Sequence, residues 1–191
     1  MLLIALTSAS EELQKLVAFE NAFDILFRLI AAEGSLSQGA EVVEDCLSLL
    51  AHLLRFNISN QLSFCETGCV KKVTELLVDC QQEPVEDEFP SRWTLVQQDK
   101  NVWGLLAIIQ LFLIRGGMRT PANQMAFWHN GVTEQVLSIA FGQKFSVNVT
   151  AKVRVACSCS LSGANQSRRW QPVPTLFVGI RLCKSGLEIL K

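Results

Sequence analysis

One short string is written twice in this chain, and it narrows the architecture more than any other property. Asn60-Gln61-Leu62-Ser63-Phe64-Cys65-Glu66-Thr67-Gly68 lies opposite Asn123-Gln124-Met125-Ala126-Phe127-Trp128-His129-Asn130-Gly131, with Asn-Gln, Phe and Gly in the same slots. The agreement continues beyond the glycine, where Val73 and Leu76 fall opposite Val136 and Ile139. A looser copy sits upstream in Leu16 to Ile30. There Phe23, Leu26, Leu29 and Ile30 superpose on Val70, Val73, Leu76 and Leu77, and Asn21 occupies the slot that Gly68 holds in the next copy. Self-similarity of this kind marks stacked repeats, none of which buries its apolar face alone.

The interval between the second and third copies is lengthened by the polar stretch Gln81 to Arg92, which holds Pro84, Pro90 and the acidic residues Glu83, Glu86, Asp87 and Glu88. It reads as a solvated loop. Gly116-Gly117 and Pro121 make a second interruption. With these removed the period is about 45 residues, the size of an armadillo or HEAT unit. Between the copies lie two periodic segments. In Glu41 to Asn57 the apolar residues Val42, Cys46, Leu49, Leu50, Leu53 and Leu54 share one helical face. Asp99 to Arg115 is apolar nearly all round, which predicts a helix covered on most sides and places Trp103, with Trp128 of the later copy, in the core. Each unit thus reads as a short helix, a glycine turn, a second helix, a loop and a longer third helix. Asn60 and Asn123 are expected to cap the short helices, and Gly68 and Gly131 to supply a positive φ. The expected fold is an all-α armadillo/HEAT-like solenoid of about three units.

Chemistry is hard to find in this sequence. Its two histidines, His52 and His129, lie far apart; His52 reads as a helix residue and His129 as a residue at a helix end. Cys65 and Cys69 share a helix face only if the helix runs through Gly68. Neither they nor Cys157 and Cys159 have a second pair at zinc-finger spacing. No phosphate-cradling glycine loop, nucleophile elbow or metalloprotease motif occurs. The chain is therefore expected to be non-enzymatic, with no catalytic, cofactor or metal residues, and single-sequence reasoning names no partner-binding residue. Seven irregularly spaced Cys read as reduced thiols, Met1 to Leu6 is too short for a secretory signal, and Val102 to Ile114 is too short to span a bilayer. A cytoplasmic location follows as an expectation, under which the sequons at Asn57, Asn148 and Asn165 go unused.

The string Asn-Gln, then Phe, Gly, Val and Leu, resembles the general armadillo signature. Three further stretches are similar to the globular head of the general vesicular transport factor family. They are Leu13-Gln14-Lys15-Leu16-Val17-Ala18-Phe19-Glu20-Asn21-Ala22-Phe23, Val42-Val43-Glu44-Asp45-Cys46-Leu47 and Ser59-Asn60-Gln61, and the likeness covers roughly residues 1 to 141. The resemblance implies an armadillo-type head from a vesicle-docking protein acting in ER-to-Golgi and intra-Golgi transport. It further implies partners among Rab-type small GTPases, golgins and membrane-fusion proteins, at the periphery of Golgi membranes. Relatives of this kind dimerise through a coiled-coil tail; no sustained heptad segment occurs here. The alternative is a generic armadillo adaptor that cradles extended peptides in another pathway, which predicts a ladder of exposed Asn and Trp on the third helices.

Residues 142–191 differ in character. They carry eight basic side chains against one acidic, whereas residues 1–141 carry nine against seventeen. Phe145, Val147, Val149, Ala151, Val153 and Val155 alternate as in a strand, but helix periodicity stops. Two readings stand. The segment Lys152 to Arg169 with Trp170 is a basic patch for anionic lipid or nucleic acid; or the tail is sequence without a selected fold, translated from an unspliced or misassembled transcript. The second reading accounts for the charge asymmetry and is the one adopted, with no nucleic-acid partner. The expected organisation is an armadillo-like fragment at 1–141 and an irregular basic tail at 142–191.

Overall fold

The computed structural model describes residues 2–8, 10–82, 91–113 and 118–141, with the backbone of 180–183 and 186–189. It divides into two compact units, Met1–Ser160 and Leu161–Lys191. In the first, the described residues form α1 (Leu2–Thr7), α2 (Glu11–Phe19), α3 (Ala22–Ala32), α4 (Ser35–Gln38), α5 (Glu41–Leu54), α6 (Ile58–Glu66), α7 (Cys69–Asp79), α8 (Arg92–Phe112), α9 (Thr120–His129) and α10 (Val132–Phe141). The copies read from the sequence are α2–α3–α5, α6–α7–α8 and α9–α10. Like packs beside like: α2 against α6, α3 against α7, α7 against α10 and α5 against α8.

Each copy turns at the same backbone conformation. Asn21, Gly68 and Gly131 have φ of 59°, 77° and 76°. A Cβ at Gly68 would meet nothing within 4 Å, so the left-handed backbone alone selects glycine there. Asn21 reaches the same geometry because a short amide side chain tolerates that region better than most. Ser10, Asn57 and Ser91 start α2, α6 and α8 by accepting from the amides of Leu13, Asn60 and Thr94 at 3.0–3.2 Å.

Several expectations need correction. The helix expected over Glu41 to Asn57 stops at Leu54, because Asn57 already caps α6 and Phe56 has a φ of 60°. Asn60 and Asn123 do not cap; they lie inside α6 and α9, 3% and 2% exposed, with their amides turned to carbonyls of neighbouring segments. The buried face of α5 is Val43, Cys46, Leu47, Leu50, Leu53 and Leu54, with Leu49 partly buried against it, whereas Val42 is exposed. The helix is covered by both α3 and α8, which rotates its buried arc. The third helix expected from Asp99 starts at Arg92, and Trp103 is 41% exposed rather than core; Trp128 is half-buried. Within the segment expected to be covered, Val102, Leu105, Leu106, Ile108, Ile109 and Phe112 are buried, whereas Trp93, Leu95 and Val96 in the preceding turns are exposed.

A file of aromatic rings runs through the core across the copies. Phe64 touches Phe23 edge-on at 5.3 Å between centroids and Phe27 at 6.0 Å; Phe112 then lies 5.2 Å from Phe64 and 5.2 Å from Phe127. Phe64 and Phe127 are the repeated phenylalanines of the motif, and both are buried. Ring pairs at these distances add about 0.5–1.5 kcal/mol each beyond their buried area.

In the second unit, β1 (Ile180–Cys183) and β2 (Gly186–Ile189) form an antiparallel hairpin with Ile180 opposite Ile189 and Cys183 opposite Gly186. The acidic run at 83–88, the glycine pair at 116–117, the alternating stretch at 145–155, the cysteines at 157 and 159 and the basic segment at 152–170 lie outside the described residues.

Candidate protein-interaction groove

Buried asparagines lock the corners of the array. Asn60 donates Nδ2–H to the carbonyls of Leu53 at 2.8 Å and Gln14 at 3.2 Å, joining α6 to the end of α5 and to α2. Asn123 donates to the carbonyl of Phe112 at 3.1 Å, and its Oδ1 faces the Cys65 thiol at 3.9 Å. Asn101 on α8 is fully buried and donates to the carbonyls of Gly39 at 2.7 Å and Leu36 at 3.3 Å. A Cβ at Gly39 would collide with the Ser35 carbonyl and the Val43 side chain, so the backbone here approaches too closely for any larger residue. Asn101 is the single asparagine of the two third helices α5 and α8, and it is spent inside the core. The exposed asparagine ladder expected of an extended-peptide adaptor does not form on them.

Near Asn123 the ends of α5 and α8 and the first turns of α6 and α9 line a groove of about 790 Å³. Its floor includes Ala51, Ala107 and Leu111, and its rim includes Phe56, Ile58 and Met118, which are 80%, 51% and 88% exposed. Phe56 combines a bulky ring with a left-handed backbone, a pairing that costs roughly 1–3 kcal/mol and persists only where the surroundings enforce it. Its ring lies 5.1 Å below the Arg55 guanidinium. Such a stack at an exposed site returns about 0.5–1 kcal/mol.

The polar lining holds two cations, Arg55 and Arg119, beside the uncharged Ser48, Gln61, Thr120 and Asn123. Arg55, His52 and Arg119 line the groove, and no aspartate or glutamate does among the described residues. Neither arginine has an ion-pair partner among those residues. His52 Nε2 and Arg119 Nε are also buried without a hydrogen-bond partner. A buried polar atom left in that state costs about 1–3 kcal/mol. His52, read from the sequence as a helix residue, is half-buried on α5 and has no hydrogen-bonded carboxylate or nucleophile among the described residues; His129 ends α9 and is exposed. The arrangement is therefore suited to holding an anionic group rather than transferring a proton.

A second depression, about 460 Å³, lies between α3 and α7 and is lined by Phe27, Arg28, Lys72, Glu75 and Asp79. Its charges are largely satisfied within the fold, since Asp24 pairs with both Lys72 and Arg28, and Lys71 with Glu75. Burial pushes the Cys46, Cys65 and Cys69 thiols up from their ordinary value, which leaves little thiolate at neutral pH. Gly68 separates Cys65 on α6 from Cys69 on α7, so no shared helix face arises. Among the described residues no cluster of three or more metal-ligating side chains occurs, and no helix is long and apolar enough to cross a membrane.

The groove residues Arg55, Phe56, Met118 and Arg119 are not apparent from periodicity. The available signal was Asn57, whose role as a cap would have ended α5 early and placed Arg55 and Phe56 in a turn.

No protein-family model matches the chain. It is 38% identical over 168 residues to the intracellular protein transport protein USO1 of Saccharomyces cerevisiae, a match covering 88% of this chain and 9% of that protein. A match of that length reaches past Phe141, where the likeness drawn from the sequence ends. The chain is 36% identical over 141 residues to the general vesicular transport factor p115 of Bos taurus, covering 73% of this chain and 14% of that one. In three dimensions it is similar to the crystal structure of Uso1-2, with a TM-score of 0.68 at 34% identity over 79% of this chain and 21% of the other. The chain thus spans about a tenth of the length of the curated relatives it matches.

Proposed function

Because the chain belongs to the general vesicular transport factor family, as a stretch of its armadillo-like helical head, we propose that it is a non-enzymatic scaffold in vesicle tethering. Stacked helices make a rigid surface, and proteins of that shape act by presenting it to other proteins. In this reading the scaffold works in ER-to-Golgi and intra-Golgi transport, on the cytoplasmic side of Golgi membranes, and is carried by residues 1–141. Its partners are Rab-type small GTPases, golgins and membrane-fusion proteins. The observation that carries the reading is the identity to USO1 and p115, whose names record intracellular protein transport and vesicular transport.

The test is a pull-down with the purified chain from cytosol and Golgi membranes, scored for small GTPases and golgins. Enrichment of either class supports the scaffold; recovery of nuclear-import cargo alone favours the peptide adaptor. The burial of Asn101 favours the first outcome, since the adaptor reading needs that side chain on the surface.

A further inference from the structure

We infer that the groove between the ends of α5 and α8 binds an extended segment of a partner protein in which a carboxylate side chain is flanked by apolar ones. The inference deepens the scaffold reading and rests on it, by naming the chemistry of one contact and the residues that make it.

Charge supports this occupant. Residues 1–90 carry five basic side chains against fifteen acidic, a net acidic balance that does not by itself favour anionic ligands. The groove has the opposite sign: Arg55 and Arg119 lie there, and no carboxylate lines it among the described residues. Neither arginine is neutralised by an ion pair among those residues. Arg55 is exposed and Arg119 half-buried, so their guanidinium groups offer charge-assisted N–H donors to a carboxylate, whereas His52 Nε2 and Arg119 Nε are themselves buried.

The rim supplies the apolar half. Phe56, Ile58 and Met118 stand exposed around the groove beside the arginines, and an exposed aromatic held in a strained backbone is a feature that structures retain where it serves recognition. A carboxylate seated between the arginines brings the neighbouring side chains of its segment onto these three residues. The volume, about 790 Å³, accommodates a few side chains and not a folded domain. An anionic lipid headgroup satisfies the charge but makes no use of a rim built for side chains on both flanks.

The experiment titrates the full chain into a fluorescein-labelled synthetic peptide of alternating glutamate and leucine, read by fluorescence anisotropy. A peptide with glutamine in place of glutamate serves as the paired probe, and phosphatidylserine vesicles serve as competitor. Saturable binding is expected for the glutamate peptide, weakened about tenfold or more for the glutamine peptide and for Arg119→Gln. Arg55→Gln, on the exposed rim, should weaken it severalfold, and added salt should weaken it further. Equal affinity for the two peptides, or undiminished binding by both variants, overturns the proposal. So does vesicle binding that depends on Arg119 while the peptide fails to bind. If Arg119→Gln loses its helical circular-dichroism signal, Arg55→Gln decides the matter alone. Absence of peptide binding alongside an intact Golgi pull-down overturns the groove and leaves the scaffold reading standing.

Discussion

The α2–α3 and α6–α7 turns follow one backbone path with different residues. Asn21 and Gly68 both sit in the left-handed region, at φ of 59° and 77°. What repeats is the reversal itself, and the residue that achieves it is free to vary among those that tolerate a positive φ. The motif phenylalanines teach the converse. Phe64 and Phe127 are identical in type and both buried, yet among the described residues Phe64 touches two rings of the preceding copy and one of its own while Phe127 touches one. Identity in sequence does not give equal weight in the fold; position along the array does.

The strongest way to break this comparison is to truncate both rings. Phe64→Ala should cost about 4–5 kcal/mol and Phe127→Ala about 3 kcal/mol, read from urea unfolding of the full chain. Equal losses would mean that the ring contacts carry no extra energy. Next come the asparagines. Asn60→Ala should cost about 2–3 kcal/mol and Asn123→Ala about 1–2 kcal/mol, because Asn60 serves carbonyls of both Leu53 and Gln14. The turns are sharpened by Gly68→Ala, which should lose about 1 kcal/mol, while Gly68→Asn should lose roughly half that. Since a Cβ at Gly68 has open space around it, any larger loss would point to a steric cause that the geometry excludes.

The smallest effect concerns the Asp24–Lys72 pair between α3 and α7. The Lys72 ammonium, bonded to the carboxylate and attracting it, holds Asp24 below its ordinary 3.8. A carboxylate depressed in the folded state contributes stability that is complete above its unfolded value and is lost as pH falls through the lower folded value. The expected loss therefore lies below pH 3.8. Asp24→Asn should flatten that acid limb of the melting temperature and leave the curve above it nearly parallel to the parent's. An unchanged acid limb would mean that the pair is not formed in solution.

Much of this architecture was legible because repeats expose themselves by comparison within one chain. The glycine turns, the buried phenylalanines and the Val73 and Leu76 face follow from that alignment alone. Where the reading failed, a tertiary contact overrode a local rule. Asn60 and Asn123 have the right chemistry for caps, but both lie inside their helices, where Asn57 already caps α6, and their Nδ2–H groups donate to carbonyls of adjacent segments. Val42 fits the helical stripe of α5 as well as Val43 does, and only the arrival of α8 on one flank decides between them. Trp103 looked like core because α8 is apolar all round, whereas its neighbours leave one strip of that helix uncovered. The groove was the least legible feature, since it joins residues that are distant in sequence and depends on a backbone conformation at Phe56 that no propensity favours.

The unbroken file of rings from Phe23 to Phe127 bears on how such a molecule can be taken apart. Modular arrays are often imagined as beads that evolution or an experimenter removes one by one. Here every excision between those two rings opens an aromatic seam on each side of the cut. Deletion mapping across this stretch should therefore report a single indivisible block, with activity vanishing all at once wherever the scissors fall.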